Sequence, residues 1–315
     1  MQKYVGLLKR EWLEHGPAFY WSMGVLLIIL ILSLILAFAF EANLDVELSA
    51  EQQEELRENM TLSQRNGDVS GLEMLTALAL DTAGSTDAEL RTKMSAAMAV
   101  IAQAFHWVFL VVSIFALIAV LYDERKDHSI LFYKSLPVTD TESVLSKYVF
   151  VAWVAPVVVI AGVFIAQTIV LLAASITVED GQAGRLWAAS EIWSRPFHAL
   201  FGYLLQGLWV LPTYAWVMLV SAVAPKVPLL WAFAIPMVIS WFESLLFGQS
   251  SVAQWLLSHG APAALPDVHR FINDGEGGAF AYLAVLRQGD FWVGVLIGVG
   301  LLALTVIARR RYIAI

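Results

Sequence analysis

The sequence contains no cysteine and little charge. The absence of cysteine from its 315 residues excludes disulfides, thiolate nucleophiles, iron–sulfur clusters and cysteine-ligated zinc sites. Charged residues make up 15% of the chain, against about 25% in an average soluble domain. No basic run of the kind that binds nucleic acid occurs, so no nucleic-acid partner is expected. Hydrophobic residues instead reach 59% and are concentrated in long blocks, which is typical of a membrane protein.

Sequence motifs of catalysis are also missing. No segment fits the phosphate-cradling pattern Gly-x-x-x-x-Gly-Lys-Ser/Thr, and none fits the zinc-binding pattern His-Glu-x-x-His. The apolar blocks show no clear pair of Asp residues and no Ser/Lys dyad. The chain is therefore not expected to be an enzyme, to bind a cofactor or metal, or to hydrolyse ATP by itself.

Six apolar blocks are long enough to cross a bilayer. A hydrocarbon core about 30 Å thick needs roughly 20 apolar residues in a helix that rises about 1.5 Å per residue. The blocks of this length are 18–40, 100–122, 148–178, 200–224, 227–247 and 291–308. We therefore predict an all-α integral membrane protein in which residues 1–315 form a single transmembrane domain of six helices.

The distribution of positive charge predicts the orientation. Of the 19 Lys and Arg residues, 11 fall in the short segments 1–17, 123–147, 225–226 and 309–315. The remaining 8 are spread over the much longer segments 41–99, 179–199 and 248–290. Because short loops rich in Lys and Arg stay in the cytoplasm, both termini are predicted to be cytoplasmic. An even number of spans agrees with this orientation.

The N-terminal residues have the pattern of an amphipathic helix. Tyr4, Leu7, Leu8 and Trp12 recur on one helical face, and Gly16-Pro17 is predicted to end the helix. We expect residues 1–17 to form an interfacial helix that either anchors the first span or docks a cytoplasmic partner. Glu11 lies within the apolar stripe, where a carboxylate suits a protein neighbour better than lipid.

The segment 123–147 connects the second and third blocks on the predicted cytoplasmic side. A charged run is followed by an apolar stretch that ends at Pro137, which cannot continue a helix. A capping-box pattern at 139–142 then predicts a new helix leading into the third block. The apolar side chains between these points, which lie either on the membrane surface or in a groove of another protein, are Ile130, Leu131, Phe132, Tyr133 and Leu136.

The same segment resembles the loop between spans two and three of bacterial ABC-2-type transporter permeases. The resemblance is carried by the run 123–125, by Ser-Ile-Leu-Phe-Tyr-Lys-Ser-Leu-Pro-Val at 129–138, and by Ser-Lys at 146–147. It extends to the N-terminal Lys-Arg-Glu at 9–11 and to the six-span layout. It implies an ABC-2-type exporter fold in the bacterial cytoplasmic (inner) membrane, with the loop acting as a coupling helix that inserts into a separate ATP-binding subunit.

The resemblance also implies partners and site residues. Two copies of the permease would work with two copies of the ATP-binding subunit, which would hold the ATP and Mg. The residues expected to couple to that subunit are Glu11, Asp123, Glu124, Arg125, Ser129, Ile130, Leu131, Phe132, Tyr133, Lys134, Leu136 and Pro137.

Two external segments are elaborated. The loop 41–99 holds 12 of the 27 acidic residues and favours helix, so we expect either a solvated acidic cap or a docking site for an external partner or cationic cargo. The loop 248–290 carries two apolar clusters that are too short to span, which predicts interfacial or re-entrant helices. His259 and His269 lack the spacing of metal ligands and are expected to be structural or solvated.

Polar residues within the blocks are candidates for a translocation path. Glu243, Gln167 and Gln206 either line such a path or form structural hydrogen bonds. The leading hypothesis is a permease subunit of an ATP-driven exporter of an amphiphilic cargo, such as a lipid, a peptide or a drug-like molecule. The alternatives are an ion-coupled secondary transporter, for which the single off-centre Glu243 is poor support, and a non-transporting membrane scaffold for an ATPase.

Overall fold

Every regular element described by the computed structural model is a helix, and no strand occurs in the residues it describes, 2–47, 86–135, 137–178, 181–248, 251–260 and 285–311. The helices are α1 (Gln2–Glu47), α2 (Asp87–Lys126), α3 (Ile130–Ser135), α4 (Asp140–Val149), α5 (Ala155–Thr177), α6 (Ala183–Ser190), α7 (Arg195–Trp209), α8 (Leu211–Val223), α9 (Pro228–Phe247), α10 (Ser251–Gly260) and α11 (Gly289–Arg311). A five-residue π-helix, Phe150–Val154, joins α4 to α5.

Five continuous helical segments are long and apolar enough to cross a membrane, and a bent pair of helices passes the same test together. The five lie within α1, α2, the α4–α5 unit, α9 and α11, and the bent pair is Ala183–Trp209 with Leu211–Val223. The prediction of an all-α membrane protein is confirmed. Within the described residues the number of candidate spans is five, or six if the bent pair crosses as one, and the orientation of the termini stays a prediction.

The first helix does not stop where the sequence predicted. Gly16-Pro17 was expected to separate an N-terminal helix from the first span, but α1 runs through Pro17 without a break. That prediction is wrong because the residues on both sides of Pro17 are anchored. Glu11 before it and Phe19 and Met23 after it are buried in the bundle, and this packing outweighs the one backbone hydrogen bond that a proline removes.

Local signals placed the start of the third span correctly. The side-chain hydroxyl of Thr139 accepts a hydrogen bond from the backbone N–H of Glu142, and the Glu142 carboxylate accepts one from the backbone N–H of Thr139. This capping box starts α4 at Asp140. The chain then continues through the π-helix into α5, with Pro156 in the first turn of α5, where a missing N–H costs little.

The fourth predicted span, 200–224, is two helices rather than one. The axis turns by 55° between the unit that ends at Trp209 and α8, which begins at Leu211. Pro212 occupies the first turn of α8 and cannot donate to the carbonyl four residues earlier, so the proline accounts for the bend.

Among the described helices, the most extensive contact joins α8 and α11. Gly298 is buried in this contact, and a Cβ atom there would lie 2.9 Å from the backbone carbonyl carbon of Leu211 and the backbone nitrogen of Pro212. Glycine is therefore required for the two backbones to approach this closely. The remaining core joins α1 and α2 to the α4–α5 unit, where the ring of Phe19 packs on those of Phe109 and Phe150.

Much of the predicted external sequence lies outside the described residues. This holds for residues 48–85 of the acidic loop and for residues 261–284 of the last loop. At the edge of the first stretch, a capping box formed by Thr86 and Glu89 begins α2. The first apolar cluster of the last loop forms α10, a ten-residue helix, which agrees with the prediction of short helices there.

Candidate coupling surface and buried charge cluster

The ends of four helices meet at one end of the bundle. They are the N-terminal part of α1, the last turns of α2 and α11, and the first turns of α4. Each of these ends carries charged residues just beyond an apolar stretch, as is usual where a helix leaves the hydrocarbon region. Here the charges turn inward and pair with one another. We call the set Glu11, Glu124, Lys147 and Arg309 the buried charge cluster.

Lys147 lies at the centre of the buried charge cluster. Its Nζ atom is 3.2 Å from Oε1 of Glu11 and 2.9 Å from Oε1 of Glu124. The Lys147 side chain is 1% exposed and the Glu11 side chain is fully buried. An ion buried to this extent is tolerated only when it is paired, so Lys147 holds α1, α2 and α4 together.

The Glu124 carboxylate pairs with three cations. Besides Lys147, its carboxylate accepts a hydrogen bond of 3.1 Å from Nη2 of Arg10 and one from Nη1 of Arg309. Arg309 uses its Nε atom to reach Oδ1 of Asp140 at 3.1 Å. Asp140 is in the first turn of α4, where a carboxylate also interacts favourably with the helix dipole. The end of α11 is thus tied to both α2 and α4.

A more exposed layer continues the cluster toward α3. Nε of Arg10 donates to Oε1 of Glu14 at 2.8 Å, and the Arg10 guanidinium lies 3.6 Å above the ring of Tyr133. The Tyr133 hydroxyl donates to Glu14 at 3.3 Å. Partial burial raises the pKa of the Tyr133 phenol, which keeps it protonated as the donor of this bond. Helix α3 is therefore fixed to α1 by a hydrogen bond and a cation–π contact.

Helix α3 presents an apolar tip. The chain leaves α2 through a turn in which His128 adopts a left-handed conformation, with φ of 56°, that few residues other than glycine accept. Ile130 then points into the protein and is buried, whereas Leu131 and Phe132 are 60% and 64% exposed. We call Leu131 and Phe132 the apolar tip. It projects from a short helix whose neighbours Tyr133 and Lys134 are attached to α1 and α11.

The other predicted coupling residues are dispersed around this site. Both carbonyls at the end of α8, those of Ser221 and Ala224, accept hydrogen bonds of 2.8 Å from Nη2 of Arg125. Asp123 and Pro137 are exposed, and the Ser129 hydroxyl donates to the Glu124 carbonyl at 3.4 Å. Leu136 lies outside the described residues. Glu11, Glu124 and Ile130 are buried beneath the surface, so any direct contact with a partner falls to the exposed members of the set.

The three residues proposed for a translocation path are separate. Nε2 of Gln167 donates to the Met98 carbonyl at 3.0 Å, bridging α5 and α2. Gln206 is buried in α7. Oε2 of Glu243 accepts a hydrogen bond of 2.9 Å from the backbone N–H of Val252, in the first turn of α10. Within the described ranges no hydrogen bond joins these three side chains, and two of them make structural hydrogen bonds.

Sequence reasoning missed Lys147, Arg309 and Asp140 as members of the site. Arg309 belongs to a basic run after the last apolar block and was used only to predict orientation. The sequence does show that each predicted span on this side ends in charged residues next to apolar ones, which indicates that charges could meet there. Nothing in the sequence indicated which ends would meet.

At the other end of the bundle, a buried histidine is packed by aromatic rings, and the ion pairs, such as that between Arg185 and Asp87, lie at the surface. The fully buried His259 of α10 stacks on Trp209, with ring centroids 4.4 Å apart, and packs on Trp255 at 4.2 Å. Nε1 of Trp255 donates to Oδ1 of Asp290 at 2.7 Å, which ties α10 to the start of α11. We call Trp209, Trp255 and His259 the aromatic cluster.

Comparison with known proteins supports the family assignment. A family model described as "ABC-2 family transporter protein" matches residues 93–262, which is more than half of the chain. This range contains most of α2, the apolar tip, the α4–α5 unit and the bent helix pair. No curated protein and no solved structure matches the chain. The chain belongs to the ABC-2 family of transporter proteins, and is a membrane permease.

Proposed function

We propose that this permease is the membrane subunit of an ATP-driven exporter and that its apolar tip docks into a separate ATP-binding subunit. The observation that carries the proposal is the exposure of Leu131 and Phe132, side by side on a six-residue helix, outside the apolar bundle. Large apolar side chains that are exposed on a helix fixed to its neighbours are typical of a docking surface. In this proposal ATP and Mg are bound by the partner subunit.

The buried charge cluster gives the apolar tip a rigid connection to the spans. A push on α3 reaches α1 through Tyr133 and Glu14, and reaches the end of α11 through Lys134, whose Nζ donates to the Arg309 carbonyl at 3.3 Å. The cluster then joins α1, α2, α4 and α11 by ion pairs. Movement of the docked subunit would therefore move four helices together rather than one loop.

The proposal includes a second copy of the permease and an amphiphilic cargo. Helix α9 leaves most of its side chains exposed, among them Phe233, Met237 and Trp241, so this face is available to lipid or to a second copy. Few charges line the bundle between the two clusters, which favours a lipid, a peptide or a drug-like molecule over a small ion.

The docking proposal is tested by changing the apolar tip. We expect the variant Leu131→Asp/Phe132→Asp to lose the P-loop ATPase that co-purifies with the tagged permease in a mild detergent, because two carboxylates cannot enter an apolar groove. The matched control Leu131→Met/Phe132→Leu keeps the tip apolar and should retain the ATPase. Quantitative mass spectrometry measures the ratio of the two subunits, and size-exclusion chromatography checks that each variant is folded.

If the aspartate variant still co-purifies with the ATPase in wild-type amounts, the docking role of α3 is refuted. Loss of the ATPase from both variants would show that the effect does not depend on apolar contact, and would also contradict the proposal.

A further inference from the structure

A cleft lies beside the buried charge cluster, between α1, α3, α4 and the end of α11. Its volume is about 450 Å³, which is within the range of about 300–1,000 Å³ found for small-molecule sites. Arg10, Lys134, Arg309 and Arg310 contribute to its wall, against a single carboxylate, that of Asp140. The cleft is therefore suited to an anion.

The four cations of the wall differ in how far they are already neutralised. Arg10 pairs with Glu14 and Glu124, and Arg309 pairs with Glu124 and Asp140. Lys134 makes its hydrogen bond to a backbone carbonyl, which leaves its charge unbalanced. Within the part of the chain that the structure describes, neither Lys134 nor Arg310 has a carboxylate within ion-pair distance. Among the described residues, two positive charges thus face the same cleft without an ion-pair partner of their own.

Other wall residues indicate what kind of anion fits. Ser143 supplies a hydroxyl group, and Leu7 and Val138 supply apolar surface at the side of the cleft. Phosphate oxygens accept hydrogen bonds from guanidinium, ammonium and hydroxyl groups. The apolar residues suit the glycerol and first acyl carbons attached to such a phosphate. The wall therefore combines the chemistry of a phosphate with that of a hydrocarbon chain.

The position of the cleft points to the source of the ligand. Arg309 and Arg310 follow directly on the apolar part of α11, a helix long enough to span the membrane. Basic residues at such a place lie at the level of the lipid headgroups. We propose that the cleft binds the phosphate-bearing headgroup of an anionic phospholipid from the leaflet on that side of the membrane. Such a lipid would join α3 to α11 by neutralising Lys134 and Arg310 together.

The experiment removes the two unbalanced charges and compares lipid binding by this chain alone, so its outcome does not depend on the docking proposal. The full-length chain in detergent is titrated with phosphatidylglycerol or with phosphatidylcholine, and native mass spectrometry counts the lipids retained. Wild type is expected to retain phosphatidylglycerol preferentially. Lys134→Gln and Arg310→Gln should each weaken this binding about fivefold, and the double variant about 25-fold. The matched control is Arg311→Gln, one residue further along α11 and outside the cleft wall, which should change binding less than twofold.

Four results would overturn the proposal. Equal retention of phosphatidylglycerol by wild type and the double variant would show that the cleft is not the site. An equal loss in Arg311→Gln would mean that general surface charge attracts the lipid. Displacement of the lipid by inorganic phosphate at similar concentrations would assign the cleft to a free anion instead. Unchanged lipid binding together with loss of the ATPase would assign the two cations to a protein partner.

Discussion

The two ends of the helical bundle bury polar residues in different ways. At one end, Glu11, Glu124, Lys147 and Arg309 come from four helices and are linked by ion pairs. At the other end, the aromatic cluster is held by ring stacking and by weaker hydrogen bonds. The charged end therefore depends on every member being present, because a buried ion left alone is costly. The aromatic end is a sum of smaller, separable contacts.

The largest effect should follow from removing the central cation. Lys147→Met leaves the fully buried Glu11 without its closest cation, and leaves Glu124 with two cations instead of three. Breaking a buried pair in this way costs about 3–5 kcal/mol in the free energy of unfolding. Titration of the detergent-solubilised chain with SDS, followed by circular dichroism, measures this loss.

A double variant distinguishes pairing from packing. Glu11→Gln/Lys147→Met removes both charges and should be more stable than Lys147→Met alone, because no ion is stranded. The loss in the single variant should also be similar at low and high salt, since buried charges are poorly screened. Additive losses for Glu11→Gln and Lys147→Met would contradict the idea that the charged end acts as a unit.

A smaller effect is expected at the aromatic end. His259→Ala removes the stacking on Trp209 and the contact with Trp255. Each aromatic contact contributes about 0.5–1.5 kcal/mol, so the variant should lose about 2 kcal/mol in the same titration. His198→Ala, the same change at a half-buried histidine in α7, is the control and should alter stability by less than about 0.5 kcal/mol. A loss as large as that of Lys147→Met would remove the contrast between the two ends.

The same contrast separates what the sequence could predict from what it could not. Span positions and the capping box at 139–142 depend on residues a few positions apart, and these predictions were confirmed apart from the exact number of spans. The ion pair between Glu11 and Lys147 joins residues 136 positions apart. A charge at the end of a span is visible in the sequence, but the identity of its neighbour depends on how the helices pack.

One sequence-based error has this origin. Local sequence at Gly16-Pro17 predicts the end of a helix. The prediction is wrong because Glu11 and Phe19 are anchored by distant residues. The block 200–224, by contrast, stays a possible span that is divided between α7 and α8, with a bend of 55° between them. His259 agrees with the prediction of a structural role, although its two tryptophan neighbours were not foreseen.

The smallest of the expected effects concerns Gly298, in the part of α11 that connects the two ends of the bundle. Helix α11 reaches from the aromatic cluster to the buried charge cluster, and Gly298 near its middle touches the backbone of α8. In Gly298→Ala the added methyl group must move the two helices apart, which costs about 1–2 kcal/mol of stability. Gly300→Ala is the matched control on the same helix, because a Cβ atom there meets nothing within 4 Å.

The pair of glycine variants also shows whether the two ends are mechanically linked. Alanine is a better helix former than glycine by about 1 kcal/mol, so Gly300→Ala should be neutral or stabilising. If α11 transmits a displacement as a rigid rod, Gly298→Ala should add less destabilisation in the Lys147→Met background than in wild type, because the charged end has already been loosened. Strict additivity of Gly298→Ala with Lys147→Met would instead mean that the middle of α11 and its charged end are independent. A shift of the α8–α11 contact could then not be relayed through the buried charge cluster to the apolar tip.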